Sequence, residues 1–310
     1  MEVYAVFKTY IVNGREYFLC GDIKTDFPFP ESLMRILYLD ITKYDQLVKR
    51  MARSLENYYP SHDEKHLLDV EKGLDELAEA HIYFTFLRYD WHRKLDAARN
   101  WKKGDMDLLD LLPRKELTRI IAYVAQTQRQ IKGLFSAVLD KNGPRTTLAQ
   151  YFSTPPGLLS YRFRMLTVKY EMAEGGEFTD VLYPNSIYDL IDFSLCACLK
   201  QDLLMRVCKN CGRYFALTGK GSAEYCSLTI DEKGRTCKEV GAMRKYSTSK
   251  KSNTIFNEYR REYKRRFAWI KSGRIDAATF YAWSAEARQK EADCENGIIT
   301  FEEFRWWLDH

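Results

Sequence analysis

Near the N-terminus, apolar and polar residues follow one another through a run rich in β-formers, from Val3 to Ile11. After Val12 come Asn13 and Gly14, then Arg15-Glu16-Tyr17-Phe18-Leu19-Cys20. Asn-Gly between two such runs favours a tight type I′ turn, so a hairpin is predicted. A loop carrying Pro28 and Pro30 is expected after it. Over residues 31–141 the apolar positions recur at helical spacing. The first predicted helix covers residues 31–56. The second starts at Ser61, where Ser61 and Glu64 match a capping box, and runs past Trp91 towards Trp101 until Lys103-Gly104 breaks it. The third spans residues 113–139, with Pro113 near its start and Asn142-Gly143-Pro144 at its end. Strands are expected over residues 161–170 and 178–182, turning at Glu174-Gly175-Gly176. Residues 186–204 read as an apolar helix.

The chain reads as helical again after Cys237, and its end holds a short repeat. Gly273-Arg274-Ile275-Asp276 leads to Phe280 and Trp283, and Gly297-Ile298-Ile299-Thr300 leads to Phe304 and Trp307. In each copy a glycine ends one helix, an isoleucine packs the turn, and Asp276 or Thr300 caps the next helix. Phe and Trp three residues apart then share one helical face. The predicted class is mostly α with small β elements (α+β). Three parts are expected: an N-terminal hairpin and helical domain (1–205), a treble-clef-like zinc module (206–246), and a helical C-terminal tail with a basic helix and the two-copy repeat (247–310).

Composition narrows the class. With 45% apolar and 29% charged residues the chain reads as soluble and globular. No stretch approaches the roughly 18 apolar residues of a membrane span. The first residues lack a basic region followed by an apolar run, so a cytoplasmic protein is expected, not a secreted one. The net charge is +5, but residues 238–274 hold twelve Lys or Arg against three Glu, a net of +9 that leaves about −4 for the rest. A basic block on a nearly neutral chain points to a directed partner.

Eight cysteines are present, and in a reducing compartment clustered cysteines more often bind metal than form disulfides. Cys208-Lys209-Asn210-Cys211-Gly212 lets a tight turn offer two thiolates to one ion; Cys226 and Cys237 complete a tetrahedron. Cys237 stands just before a predicted helix, whose dipole favours a thiolate there. Zinc is therefore the expected cofactor, in a structural role, because four thiolates leave no open position for water. Cys20, Cys196, Cys198 and Cys294 read as core residues.

These residues carry a resemblance. The apolar helix, Cys208-Lys209-Asn210-Cys211-Gly212-Arg213-Tyr214-Phe215, Tyr225-Cys226, Gly234 three residues before Cys237, and the basic tract together resemble an uncharacterised bacterial family of Clostridia, their phages and mobile elements. The likeness covers residues 186–310, including the Gly-x-Ile and Phe-x-x-Trp segments. More distantly the pattern is similar to CGNR-type zinc finger proteins, which implies transcriptional regulation. The Cys-Gly-Asn-Arg tetrapeptide of that group is absent; Cys237 is followed by Lys238-Glu239-Val240.

Downstream of the cysteines, Tyr259, Tyr263, Phe267 and Ile270 recur at helical spacing, so one face is apolar and the others basic. Arg244, Lys245, Lys250, Lys251, Arg260, Arg261, Lys264, Arg265 and Arg266 are the candidate nucleic-acid contacts, and such contacts would be salt-sensitive. Other signals fail on inspection. His62 and His66 are spaced like zinc-protease ligands, but Asp63 stands where the glutamate belongs. An EF-hand alignment on Gly297 puts Ala292 and Cys294 at positions that need oxygen. There is no phosphate loop, dinucleotide fingerprint or nucleophile elbow. Asp105 and Asp107 lack a partner base, and Asp90 and His92 do not share a helical face. Three readings stay open: a zinc protein contacting nucleic acid through a basic helix, possessing a regulatory role; a protein–protein adaptor with a purely structural zinc; and an enzyme with its site in the N-terminal half.

Overall fold

The hairpin forms as its sequence predicts. β1 (Phe7–Val12) and β2 (Arg15–Cys20) pair antiparallel from Phe7↔Cys20 to Val12↔Arg15. Asn13 and Gly14 take φ of 51° and 70°, the left-handed pair a type I′ turn requires. The segment expected as a loop is a third strand, β3 (Ile23–Pro28), paired to β2 from Cys20↔Ile23 to Arg15↔Pro28. The overlooked signal is Gly21-Asp22, a two-residue turn with Gly21 at φ 59°; Pro28 is tolerated because β3 lies at the sheet edge. These coordinates come from a computed structural model, which describes residues 6–102, 106–155, 157, 160–173, 175–218, 221–231, 233–241, 243 and 254–310. Lys103 and Gly104, the predicted helix break, lie outside that set. The chain groups into two units, one of residues up to 208 with 212–223, the other of residues 209–211 with 224–310.

In the first unit, β4 (Val168–Met172) and β5 (Phe178–Leu182) form the second predicted hairpin. Pairing of Thr9↔Leu182 and Tyr10↔Val181 joins it to the first, giving an antiparallel sheet of order β3-β2-β1-β5-β4. Phe7, Phe18 and Leu182 face the helical core, while Tyr10 and Val181 face a small cluster on the other side with Ala173. The expected strand at 161–170 is shorter at its start. Tyr161 donates its hydroxyl to Asp192 Oδ1 at 2.5 Å, and the Arg164 amide donates to Asp192 Oδ2 at 3.1 Å. Both tie that segment to a helix instead of a neighbouring strand.

The helices differ from the expectation mainly at their ends. The predicted 31–56 helix is broken into α1 (Glu31–Leu37), a 3-10 turn (Ile41–Tyr44) and α2 (Asp45–Ser61). Ser61 is not an N-cap: its hydroxyl donates back to the Asn57 carbonyl at 2.5 Å and His62 ends the helix at φ 52°. Asp63 is the cap, accepting from the Lys65 amide at 3.1 Å. The helix that follows is interrupted too. α3 (Glu64–Ala80) and α4 (Ile82–Arg99) meet at His81, which is extended and accepts the Tyr83 amide on Nδ1. A short helix, α5 (Leu108–Leu111), precedes α6 (Arg114–Leu134), which Pro113 caps and a π turn over Phe135–Leu139 prolongs. α7 (Leu148–Ser153) starts on a Thr147–Gln150 capping box, and α8 (Ile187–Lys200) on one from Ser186 and Asp189. Trp91, Tyr83, Phe84, Met51 and Phe135 are among the fully buried side chains of this core.

One polar group lies inside it. Glu16 is 1% exposed and accepts from Ser32 twice, through its amide and its hydroxyl, the latter at 2.7 Å. The Ser32 carbonyl in turn faces His81 Nε2 at 2.9 Å. Glu16 thereby serves the first turn of α1, which has no side-chain cap of its own.

The second unit ends in three helices, Thr254–Lys271, Ala277–Glu295 and Phe301–Asp309. The repeat behaves as predicted. Gly273 and Gly297 take φ of 70° and 73°; Asp276 accepts from the Thr279 amide at 2.6 Å, and Thr300 forms a capping box with Glu303. Phe280 and Phe304 are fully buried, and the Trp283 and Trp307 rings stack 6.4 Å apart at 5°. Cys294 and Cys198 are buried, Cys20 and Cys196 half-buried.

Candidate metal centre and basic helix

The knuckle that carries the first two cysteines follows β6 (Met205–Val207) and leads into β7 (Tyr214–Ala216), its antiparallel partner. The Cys208 amide donates to the Arg213 carbonyl at 2.8 Å and the Gly212 amide to the Cys208 carbonyl at 2.9 Å, with Gly212 at φ 70°. That positive φ is what bends the backbone tightly enough to aim two sulfurs the same way. The hairpin is anchored by its neighbours: the Lys141 amide donates to the Met205 carbonyl at 2.9 Å, and the Tyr214 hydroxyl to Asp140 Oδ2 at 3.0 Å.

The described residues between Cys226 and Cys237 fold back on themselves. Thr229 and Thr236 form an antiparallel bridge, and the Cys237 amide donates to the Leu228 carbonyl at 2.9 Å. Asp231 holds the turn by accepting from the Lys233 and Arg235 amides, and those bonds with the Arg235 guanidinium keep its carboxyl below the usual range. Residues 237–241 are helical, and Thr236 with Glu239 forms their capping box: the Thr236 amide donates to Glu239 Oε2 at 2.7 Å, the Glu239 amide to Thr236 Oγ1 at 3.4 Å. This Thr-x-x-Glu pattern is a helix-start signal in the sequence itself, beside the more conspicuous cysteines. Cys237 therefore sits in the first turn of a helix.

The sulfurs of Cys208, Cys211, Cys226 and Cys237 all lie within 4.8 Å of one another, and Cys211 Sγ is 3.7 Å from Cys226 Sγ. Four sulfurs held at about 2.3 Å by one tetrahedral ion stand about 3.8 Å apart. The group fits an ion of that kind, and three of its four cysteines are buried. Asn210 donates its side-chain amide to Cys237 Sγ at 3.3 Å, which offsets thiolate charge from inside the knuckle.

The predicted apolar stripe of the helix Thr254–Lys271 packs inward at Tyr259 and Tyr263, while Phe267 remains 42% exposed. Its cations divide into two sets. Glu262, one of the three glutamates in the basic run, is 1% exposed and forms an ion pair with Arg265 at 2.5 Å. Burial pushes the Glu262 carboxyl up, and Arg265, Arg261 and Arg266 pull it back down. Arg261 also bonds Glu258 at 2.6 Å, and Arg266 lies over the Trp283 ring and donates to the Leu308 carbonyl at 3.0 Å. Arg260, Lys264 and Lys271 are exposed and form no ion pair among the described residues. At 100° per residue these three fall within about 40° of one another, on the side away from Tyr259. Arg244, Lys245, Lys250 and Lys251 lie outside the described residues.

Residues 161–303 match the model of a family of unknown function, DUF6076. That span includes all four cysteines and the basic helix, and begins at the Tyr161–Asp192 clamp. No curated protein and no solved structure matches the chain. No described helix is long and apolar enough to cross a membrane.

Proposed function

We propose that this chain is a zinc-binding, regulatory protein in which Cys208, Cys211, Cys226 and Cys237 hold one structural zinc, and the outer face of the helix Thr254–Lys271 contacts nucleic-acid phosphate. Thiolate donors and tetrahedral spacing favour zinc over harder ions. The observation that carries the nucleic-acid reading is the split among the cations. Arg265 and Arg266 are engaged within the unit, whereas Arg260, Lys264 and Lys271 stand together, exposed and without ion pairs among the described residues. Unpaired cations on one face are what a phosphate backbone requires. The likeness of the cysteine pattern to CGNR-type zinc fingers supports a regulatory role.

The test uses the zinc-loaded full chain and labelled DNA and RNA 20-mers, with affinity followed from about 50 to 300 mM salt. Binding should weaken linearly in log–log form, and the Arg260→Glu, Lys264→Glu double variant should flatten that slope by about two. Salt-independent binding, or a double variant that behaves as the parent, would leave the adaptor reading in its place.

A further inference from the structure

A second face of the C-terminal unit has the opposite chemistry. Trp306 is 64% exposed, an unusual position for the residue type most enriched at the centres of protein interfaces. With Ile299, Trp307 and Lys290 it lines an open groove of about 590 Å³, bounded by Glu302 and Glu303. The imidazole of His310 stacks on the Trp306 ring at 4.4 Å and 22°, which steadies the indole.

Charge decides what such a groove accepts. Its lining carries two carboxylates against one ammonium, a net charge of −1. Glu303 accepts from the Thr300 amide at 2.7 Å and hydroxyl at 2.9 Å, and those bonds hold its carboxyl below the usual range, so it stays ionised near neutral pH. Glu302 precedes Trp306 by four residues, one turn away on the same face. A lysine or arginine entering there meets an aromatic ring and a carboxylate together, two favourable contacts for a cation. A phosphate backbone meets repulsion at the same place, so nucleic acid does not suit this groove.

We propose that the groove docks a basic segment of a partner protein, with an apolar side chain against Ile299 and Trp307 and a lysine or arginine beside Trp306 and Glu302. The test is direct binding of labelled ten-residue peptides to the zinc-loaded full chain, read by anisotropy and Trp fluorescence. Three peptides are compared: alternating Lys/Leu, alternating Glu/Leu and alternating Lys/Ser. The Lys/Leu peptide should bind at least about ten-fold more tightly than either control, a difference of roughly 1.4 kcal/mol. Trp306→Ala and Glu302→Lys should each remove that preference with the melting temperature preserved, since both side chains are exposed. The Arg260→Glu, Lys264→Glu variant should bind the peptide as the parent does, which separates this result from the nucleic-acid reading. Equal binding of the Glu/Leu peptide, or insensitivity to Glu302→Lys, overturns the proposal. So does a dimer in sedimentation that Trp306→Ala dissolves, because the groove then belongs to a second copy. Loss of DNA or RNA binding in Trp306→Ala without any peptide preference overturns it as well.

Discussion

At the residue scale, Glu16 and His81 meet around Ser32 and carry opposite pH dependences. Burial pushes the Glu16 carboxyl up to about 7, with the two Ser32 bonds opposing. Burial likewise pushes His81 down to about 4. Its Nδ1 accepts from the Tyr83 amide at 3.1 Å, so the neutral ring carries its proton on Nε2, facing the Ser32 carbonyl. The signs follow by linkage. Glu16 has a folded pKa above its ordinary 4.5, so its contribution is fully present below that value and is lost as pH rises through 7. His81 has a folded pKa below its ordinary 6.5, so its contribution is present above 6.5 and is lost as pH falls through 4. Each shift corresponds to about 3 kcal/mol, and over pH 4.5–6.5 the two nearly cancel. Glu16→Gln removes one side of the balance. In that variant, hydrogen-exchange protection of α1–α4 should fall by about 3 kcal/mol between pH 6.5 and 4.5, while the parent changes little. An equal slope in both proteins would show that Glu16 is not the compensating group.

At the element scale, the metal module depends on how closely its helix approaches the chain before Cys226. A Cβ at Gly241 would stand 2.3 Å from Tyr225 Cδ1 and 2.4 Å from Cε1. Tyr225 adjoins Cys226, so moving its ring moves a sulfur. Alanine favours a helix over glycine by about 1 kcal/mol, yet Gly241→Ala should lower metal affinity at least ten-fold. Competition with a chromophoric chelator measures this, and unchanged affinity would mean the ring relaxes without disturbing Cys226. Gly73 makes a similar approach on α3, where a Cβ would meet Met51 Sδ at 2.4 Å in the core. Neither glycine announces itself in the sequence, because each is required by a residue outside its own helix.

At the scale of the molecule, the two units rest on different sources of stability. The first has a large apolar core that draws on α1–α6, α8 and the sheet. The second has a five-residue buried cluster, Tyr259, Ala287, Cys294, Phe304 and Leu308, and carries three of the four clustered cysteines, Cys211, Cys226 and Cys237. Metal held by four thiolates contributes on the order of 10 kcal/mol to folding a small module. Stripping the metal with a chelator should therefore collapse exchange protection across residues 208–241 and leave residues 45–139 protected. Undiminished protection at 208–241 would show that the module stands on packing alone.

The features legible along the chain are local. The Asn13-Gly14 hairpin, the Gly273 and Gly297 helix ends, the Asp276 and Thr300 caps and the Cys208-x-x-Cys211-Gly212 knuckle depend on residues a few positions apart, whose backbone preferences act wherever the chain goes. Cys208 and Cys211 are brought together by the Gly212 turn between β6 and β7. Closure over distance emerges only when the chain folds. Nothing near Thr9 and Tyr10 names Leu182 and Val181 as their strand partners. Nothing near Ser32 names Glu16 and His81 as its buried neighbours. Nothing in the run from Arg260 to Arg266 reveals that packing buries Glu262 and engages Arg265 and Arg266, leaving Arg260 and Lys264 exposed. Charge sums over a segment are additive in sequence, but which charges reach solvent depends on the surface each helix buries, and that is settled only when the helices pack.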